Sequence, residues 1–195
     1  RIGRAGSHVS YAGQILGCDY TAAVSIQDGV DAFLYIGGGL FHPLGVVLTT
    51  GKPVVAADPY TGRVERISEE DRMKAAKKRW AAISAAQQAK RFGIVVGLKV
   101  GQRKLAAAEA LKEKIEEKGG EALFLCMEEV TFENLANFTE VEAFIETACP
   151  RIAIDGIEGL RQPLITAEEA LVMLGEIEWS QVWQKTFGGI RRDTE

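Results

Sequence analysis

Cysteine is scarce in this sequence: its 195 residues include only Cys18, Cys126 and Cys149. An odd number at such wide spacing argues against a disulfide framework. There is no Cys-x-x-Cys pair, so a self-contained zinc knuckle is not expected. Histidine is scarcer still, with two. Basic charge is not in excess either. The 23 Lys and Arg face 27 Asp and Glu, a net charge of −4, so no whole-surface attraction draws the chain to nucleic acid and no direct nucleic-acid binding is expected. No apolar run approaches the roughly 20 residues that span a bilayer, and no membrane partner is expected. A basic-then-apolar leader is missing, so secretion is not expected. The sequence begins at Arg1 without an initiator Met and reads as a processed or truncated piece of something longer.

What is present is ordinary for a globular protein, with 47% hydrophobic and 26% charged residues, enough to bury a sizeable core. The stretch "DAFLYIGGG" is a short apolar run closed by glycines, "LFHPLGVVLTTG" reads as a helix, and "KPVVAADPY" is a second apolar run. Strand, helix, strand is the unit of a parallel sheet. Ser68 is a candidate N-cap for a long helix running toward Gly93, with two acids following it. The pattern then restarts. "FGIVVGLKVGQ" reads as a strand. "RKLAAAEALKEKIEEKGG" reads as an amphipathic helix with Leu105, Ala108, Leu111 and Ile115 on one stripe. "EALFLCMEEV" reads as a strand, "VEAFIETAC" as a helix, "PRIAIDG" as a strand, and "TAEEALVMLG" as a last helix capped by Thr166. The expected fold is α/β: two tandem Rossmann-like βαβ domains with parallel sheets, at 1–88 and 89–195, joined through the long helix.

Ligands in such sheets bind at the C-terminal ends of strands. Those ends carry "GGGLFHP", "DPY", "VGQRK" and "IDG". Gly38 and Gly39 allow close approach of backbone to a ligand, and a tight turn without a ligand accounts for them equally well. His42 stands beside them and reads as a structural or a functional histidine. Gly101, Gln102 and Arg103 lie at a strand-to-helix junction, where free amides favour a carboxylate or phosphate. Arg151 can clamp a carboxylate with two hydrogen bonds or sit in a surface ion pair. For any one cysteine the first reading is a buried, inert thiol. Cys126, flanked by apolar residues in "LFLCME", is expected to be buried in a strand. Cys18 and Cys149 lie among loop residues, with Pro150 closing the corner after Cys149, and both are free to reach a metal.

The segments "GQILGCD", "YIGGGLFHPLG", "AADPY", "VGLKVGQRK" and "EAFIETACPRIAIDG…PLITAEEA" together resemble the successive motifs of the archaeal diphthamide synthesis enzymes, the 2-(3-amino-3-carboxypropyl)histidine synthases. The resemblance runs from about Val9 to about Leu174. It implies three Rossmann-like domains, each giving one cysteine to a 4Fe–4S cluster. Cys18 and Cys149 fall on the second and third cluster cysteines. Cys126 falls on none, and the domain with the first is not in this sequence. The resemblance further implies S-adenosylmethionine as co-substrate, bound by Gly38, Gly39, His42, Gly101, Gln102 and Arg151. An electron from the cluster cleaves its Cγ–S bond, and the 3-amino-3-carboxypropyl radical adds to a histidine of translation elongation factor 2. This differs from the usual radical enzymes of that cofactor, whose C-x-x-x-C-x-x-C loop has no counterpart here. A cytoplasmic homodimer served by an electron donor is implied, and Cys18 and Cys149 are expected to face one cleft. The fragment alone is expected to be inactive. The alternatives are a Rossmann-like nucleotide-binding module, a non-catalytic partner subunit without a complete cluster, and a zinc-binding scaffold disfavoured by its ligand count.

Overall fold

The computed structural model describes residues 1–183. Two compact units form, Arg1–Lys77 with Trp183, and Lys78–Val182. The division falls inside the long helix, where the expected boundary lay at its end. The chain is α/β, and each unit has its own sheet.

The first unit contains α1 (Thr21–Val24), β1 (Phe33–Ile36), α2 (Phe41–Thr50), β2 (Val54–Ala57) and β3 (Val64–Ile67). The β1–α2–β2 crossover is the one legible in the sequence, and it leaves β1 and β2 parallel. β3 returns antiparallel on β2. It escapes sequence reading because Val64, Glu65 and Arg66 are all exposed and give no alternating pattern. α2 buries Phe41, Val46, Val47 and Leu48 together with Val54, Ala56 and Ile67. Leu34, Ile36, Val55 and Val64 remain exposed; by the strand register they share the other face.

The helix α3 (Glu69–Ala86) starts after Ser68, whose amide and hydroxyl both donate to Asp71 Oδ2 at 2.9 Å. It ends well before Gly93, which lies inside β4 (Arg91–Gly97). The second unit continues with α4 (Leu105–Glu117), β5 (Glu121–Met127), α5 (Phe132–Ala136), β6 (Ala143–Glu146), α6 (Pro150–Asp155), β7 (Leu164–Thr166) and α7 (Ala167–Met173). The strands are all parallel, in the order β5-β4-β6-β7. One face of the sheet packs Ile94, Val96 and Ile145 against Ile83, Leu111, Ile115 and Ala170. The other packs Val95, Leu125 and Phe144 against Leu135 and Ala153. A central parallel strand covered on both sides is apolar along its buried length, as β4 is from Phe92 to Gly97.

The structure inverts two expected elements. "AFIE" is a strand, and "PRIAID" is a helix. A run of four buried on both faces has no period to separate strand from helix. Pro150 starts a helix here: at the first helical position its missing N–H costs nothing and its φ is already set. "IDG" therefore ends a helix and is not a strand end. Cys126 is also corrected. It lies in β5 as expected but is exposed, because β5 is an edge strand and the cover that buries Ala122 does not extend to its C-terminal end.

One buried ion pair ties these layers together. Arg79 of α3 donates through Nε and Nη2 to the two carboxylate oxygens of Glu169 at 2.8 and 2.6 Å. Two further hydrogens go to the carbonyls of Ala153 in α6 and Leu164 in β7. Glu169 in turn accepts from the Thr166 amide while its own amide donates to Thr166 Oγ1, a reciprocal cap for α7. Both side chains are buried. Removing one partner leaves an uncompensated buried charge, which costs about 3–5 kcal/mol. Arg79→Met should lower stability by about that amount in chemical denaturation followed by the fluorescence of the stacked pair Trp80 and Trp179. A loss under about 1 kcal/mol would mean that the pair does not hold the layers.

Candidate functional site

The second unit has a topological switch point. From β4 the chain crosses through α4 to β5 on one side, and from β6 it crosses through α6 to β7 on the other. The loops leaving β4 and β6 diverge, and the crevice beyond the carboxyl ends of those strands is where open α/β sheets bind ligands. The loop after β4 carries Gly101 and Gln102. The loop after β6 is residues 147–149 and ends in Cys149, the N-cap of α6, with Arg151 in the first turn. Four of the sequence-predicted residues thus lie on the two segments that follow β4 and β6.

Gly97, the last residue of β4, sets how close the two loops come. A Cβ placed there would lie 2.6 Å from the Ala148 Cβ and 3.2 Å from the Gln102 Cβ. Only a bare α-carbon lets both approach. Thr147 fixes its loop to β4 through the Val95 carbonyl, which accepts from its hydroxyl at 2.7 Å and its amide at 3.2 Å. Glu146 accepts through one oxygen from the amides of Ala148 at 2.6 Å and Cys149 at 3.1 Å. Its carboxyl is 2% exposed, and burial pushes its pKa up to about 7 against those two hydrogen bonds. Sequence reading missed Glu146 because it placed the residue on a helix; the helix-to-strand inversion is what hid it. Arg151 is half-exposed and donates to Asp155 Oδ2 at 2.9 Å, one turn along α6.

In the first unit Cys18 occupies a turn closed by Leu16 and Asp19, which exchange backbone hydrogen bonds at 3.0 and 3.1 Å. A Cβ on Gly17 would lie 2.9 Å from the Phe41 ring, so the turn sits against the first residue of α2. Asp19 is fully buried. Burial works to raise its pKa, but hydrogen bonds from Thr21 and the His8 amide outweigh it and hold the carboxyl below the usual range. These bonds tie the flanking segments to the turn. His42, in the first turn of α2, stacks on Tyr35 at 6.1 Å. Gly38 and Gly39 precede α2, and Gly39 has φ +74°. A cavity of about 240 Å³ at the ends of β1 and β2 is lined by Gly37, Gly39, Asp58, Thr61 and Arg63. Asp58 was visible in the sequence only as a strand end. In the structure it accepts from the amides of Tyr60 and Thr61, and these hydrogen bonds lower its pKa.

The candidate residues therefore assemble in two groups, one per unit: Cys18 with Gly38, Gly39 and His42, and Cys149 with Gly101, Gln102 and Arg151. Among the described residues none of the three thiols is in a disulfide, and no three His, Cys, Asp or Glu side chains form a metal site. Two thiols on loops fit two of the positions of an iron–sulfur cluster, since iron takes thiolate.

A family model described as "Putative diphthamide synthesis protein" matches residues 2–184. The chain belongs to this family. It is 38% identical over its whole length to the 2-(3-amino-3-carboxypropyl)histidine synthase of Pyrococcus horikoshii, of which it covers 54%. It is 33% identical over 90% of its length to 2-(3-amino-3-carboxypropyl)histidine synthase subunit 1 of Gallus gallus, covering 42% of it. The crystal structure of Dph2 from Pyrococcus horikoshii with a 4Fe–4S cluster superposes on the whole chain with a TM-score of 0.80 at 37% identity. The chain spans about half the length of the relatives it matches. The resemblance read from "LGCD" and "ACPR" is thus a membership shared by nearly the whole sequence, with relatives in archaea and eukaryotes alike.

The close approach at Gly97 makes a direct prediction. Gly97→Ala should cost about 1–3 kcal/mol by overpacking. It should also shift the backbone amide resonances of Ala148 and Cys149 more than those of Glu121 and Ala122, which pair with Arg91 and Phe92 at the opposite end of β4. Unchanged stability and unchanged resonances at the corner would show that the two loops are not set by this contact.

Proposed function

We propose that the full-length protein is a 2-(3-amino-3-carboxypropyl)histidine synthase, in which Cys18 and Cys149 supply two ligands of a 4Fe–4S cluster. The observation that carries this reading is the whole-chain likeness to a relative crystallised with such a cluster, in a chain that presents both thiols on loops. When bound, the cluster would supply the electron that cleaves the Cγ–S bond of S-adenosylmethionine, releasing the 3-amino-3-carboxypropyl group for a histidine of translation elongation factor 2 in the cytoplasm.

The chain's own residues would do the binding. Gly101 and Gln102 lie on the loop leaving β4, and Arg151 lies on α6 across the switch point. The Arg151–Asp155 pair spans one turn on the exposed side of α6, and such a pair is worth about 0.3–0.5 kcal/mol. A carboxylate of the co-substrate, taking two parallel hydrogen bonds from the guanidinium, outcompetes it. Gly38, Gly39 and His42 would serve the same co-substrate from the first unit.

A second reading concerns assembly. Several relatives are named subunit 1, which supports pairing with a different subunit as an alternative to a homodimer. An electron donor is required in either case.

The test is substitution in the anaerobically purified full-length protein. Cys18→Ala and Cys149→Ala should each lower bound iron and sulfide and abolish transfer of labelled 3-amino-3-carboxypropyl to elongation factor 2. Cys126→Ala, at an exposed edge-strand position, should leave both unchanged. Wild-type iron content and transfer by Cys149→Ala would remove Cys149 from the cluster; a wild-type protein with neither iron nor transfer would favour a nucleotide-binding module.

A further inference from the structure

The corner that carries Cys149 is held in an unusual way. N-cap positions favour Ser, Thr, Asp or Asn, whose oxygens accept from the first helical amides. Cys149 is the N-cap of α6 and makes no such bond. A residue chosen for stability alone would have been one of those four. With a thiol at the cap, the corner must be fixed from elsewhere, and the structure shows where. Thr147 is bonded to β4 through Val95. Ala148 and Cys149 are both bonded to Glu146 Oε1. Every amide from residue 147 to 149 is therefore tied, and two of the three ties are to one side chain.

Glu146 is a costly choice for that task. Its Oε2 is buried and has no hydrogen-bond partner among the described residues. A buried polar atom left unpaired calls for an explanation. The carboxyl reaches from the last residue of β6 over two intervening residues to the amide of the cysteine itself. We propose that Glu146 is a positioning residue for Cys149: it fixes the backbone of the thiol-bearing corner so that the sulfur is held in one direction. This rests on the reading of Cys149 as a cluster ligand, and assigns to Glu146 the outer-shell task that in metal sites orients the ligand.

The experiment uses the full-length protein, purified anaerobically, with Glu146→Gln and Glu146→Met. Gln keeps an oxygen that can accept from both amides. Met fills the same buried volume and accepts from neither, so it preserves the fold while removing the tie. The readouts are the rate of iron loss to a chelator, the electron paramagnetic resonance of the reduced protein, and the thermal midpoint. Glu146→Gln should match wild type. Glu146→Met should lose iron on the order of tenfold faster and show an altered spectrum at temperatures well below its melt. Met releasing iron at the wild-type rate with an unchanged spectrum would overturn the positioning role, as would a Gln variant that loses iron as fast as Met. A wild-type protein that holds no iron or sulfide would instead overturn the cluster reading and this inference with it.

Discussion

The second unit depends on a single buried guanidinium. Arg79 reaches from α3 into the layer below and satisfies a carboxylate and two backbone carbonyls. Those carbonyls belong to α6 and to the residue that opens β7. Lys78, its neighbour, covers the next two carbonyls, those of Ile154 and Asp155, at the same carboxyl end of α6. A helix of six residues has little stability of its own. α6 exists because α3 holds its carboxyl end and the Glu146–Thr147–Ala148 corner holds its amino end. The position of Cys149 follows from both.

The site follows from sheet order in the same way. The order β5-β4-β6-β7 sends the connections that leave the adjacent strands β4 and β6 to opposite sides, and the crevice this leaves lies between the two diverging loops. Here they carry a glycine and glutamine on one loop and a cysteine on the other, with an arginine two residues further on. Gly97 lets the loops approach, and Glu146 fixes the thiol's backbone. In the first unit Asp19 does comparable work beside Cys18, since its buried carboxylate gathers the amides of His8 and Thr21 around the turn. Each thiol thus has a buried acid nearby that organises backbone rather than solvent.

Much of this was legible in the sequence, and the failures have physical causes. The βα alternation, the α4 stripe of Ala108, Leu111 and Ile115, and the Thr166–Glu169 cap were read from periodicity and capping rules. "AFIE" and "PRIAID" were exchanged because a fully buried strand lacks a period, and because proline signals a helix start as readily as a stop. That exchange concealed Glu146, whose role depends on standing at a strand end. β3 was invisible because its residues are exposed. The burial of Cys126 was misjudged because apolar neighbours in sequence do not tell an edge strand from a central one. Arg79 falls in the charged stretch "RMKAAKKRW", where nothing in the sequence marks one cation for burial; its bonds to α6 and β7 show it buried.

The central claim is that the thiols of this chain hold a redox-active cluster that meets S-adenosylmethionine. The most direct measurement is electron paramagnetic resonance of the full-length protein, reduced under anaerobic conditions, before and after addition of S-adenosylmethionine. The account predicts the signal of a reduced 4Fe–4S cluster, displaced when the co-substrate is added. A reduced protein with no such signal, or a signal that S-adenosylmethionine leaves unmoved, would contradict it.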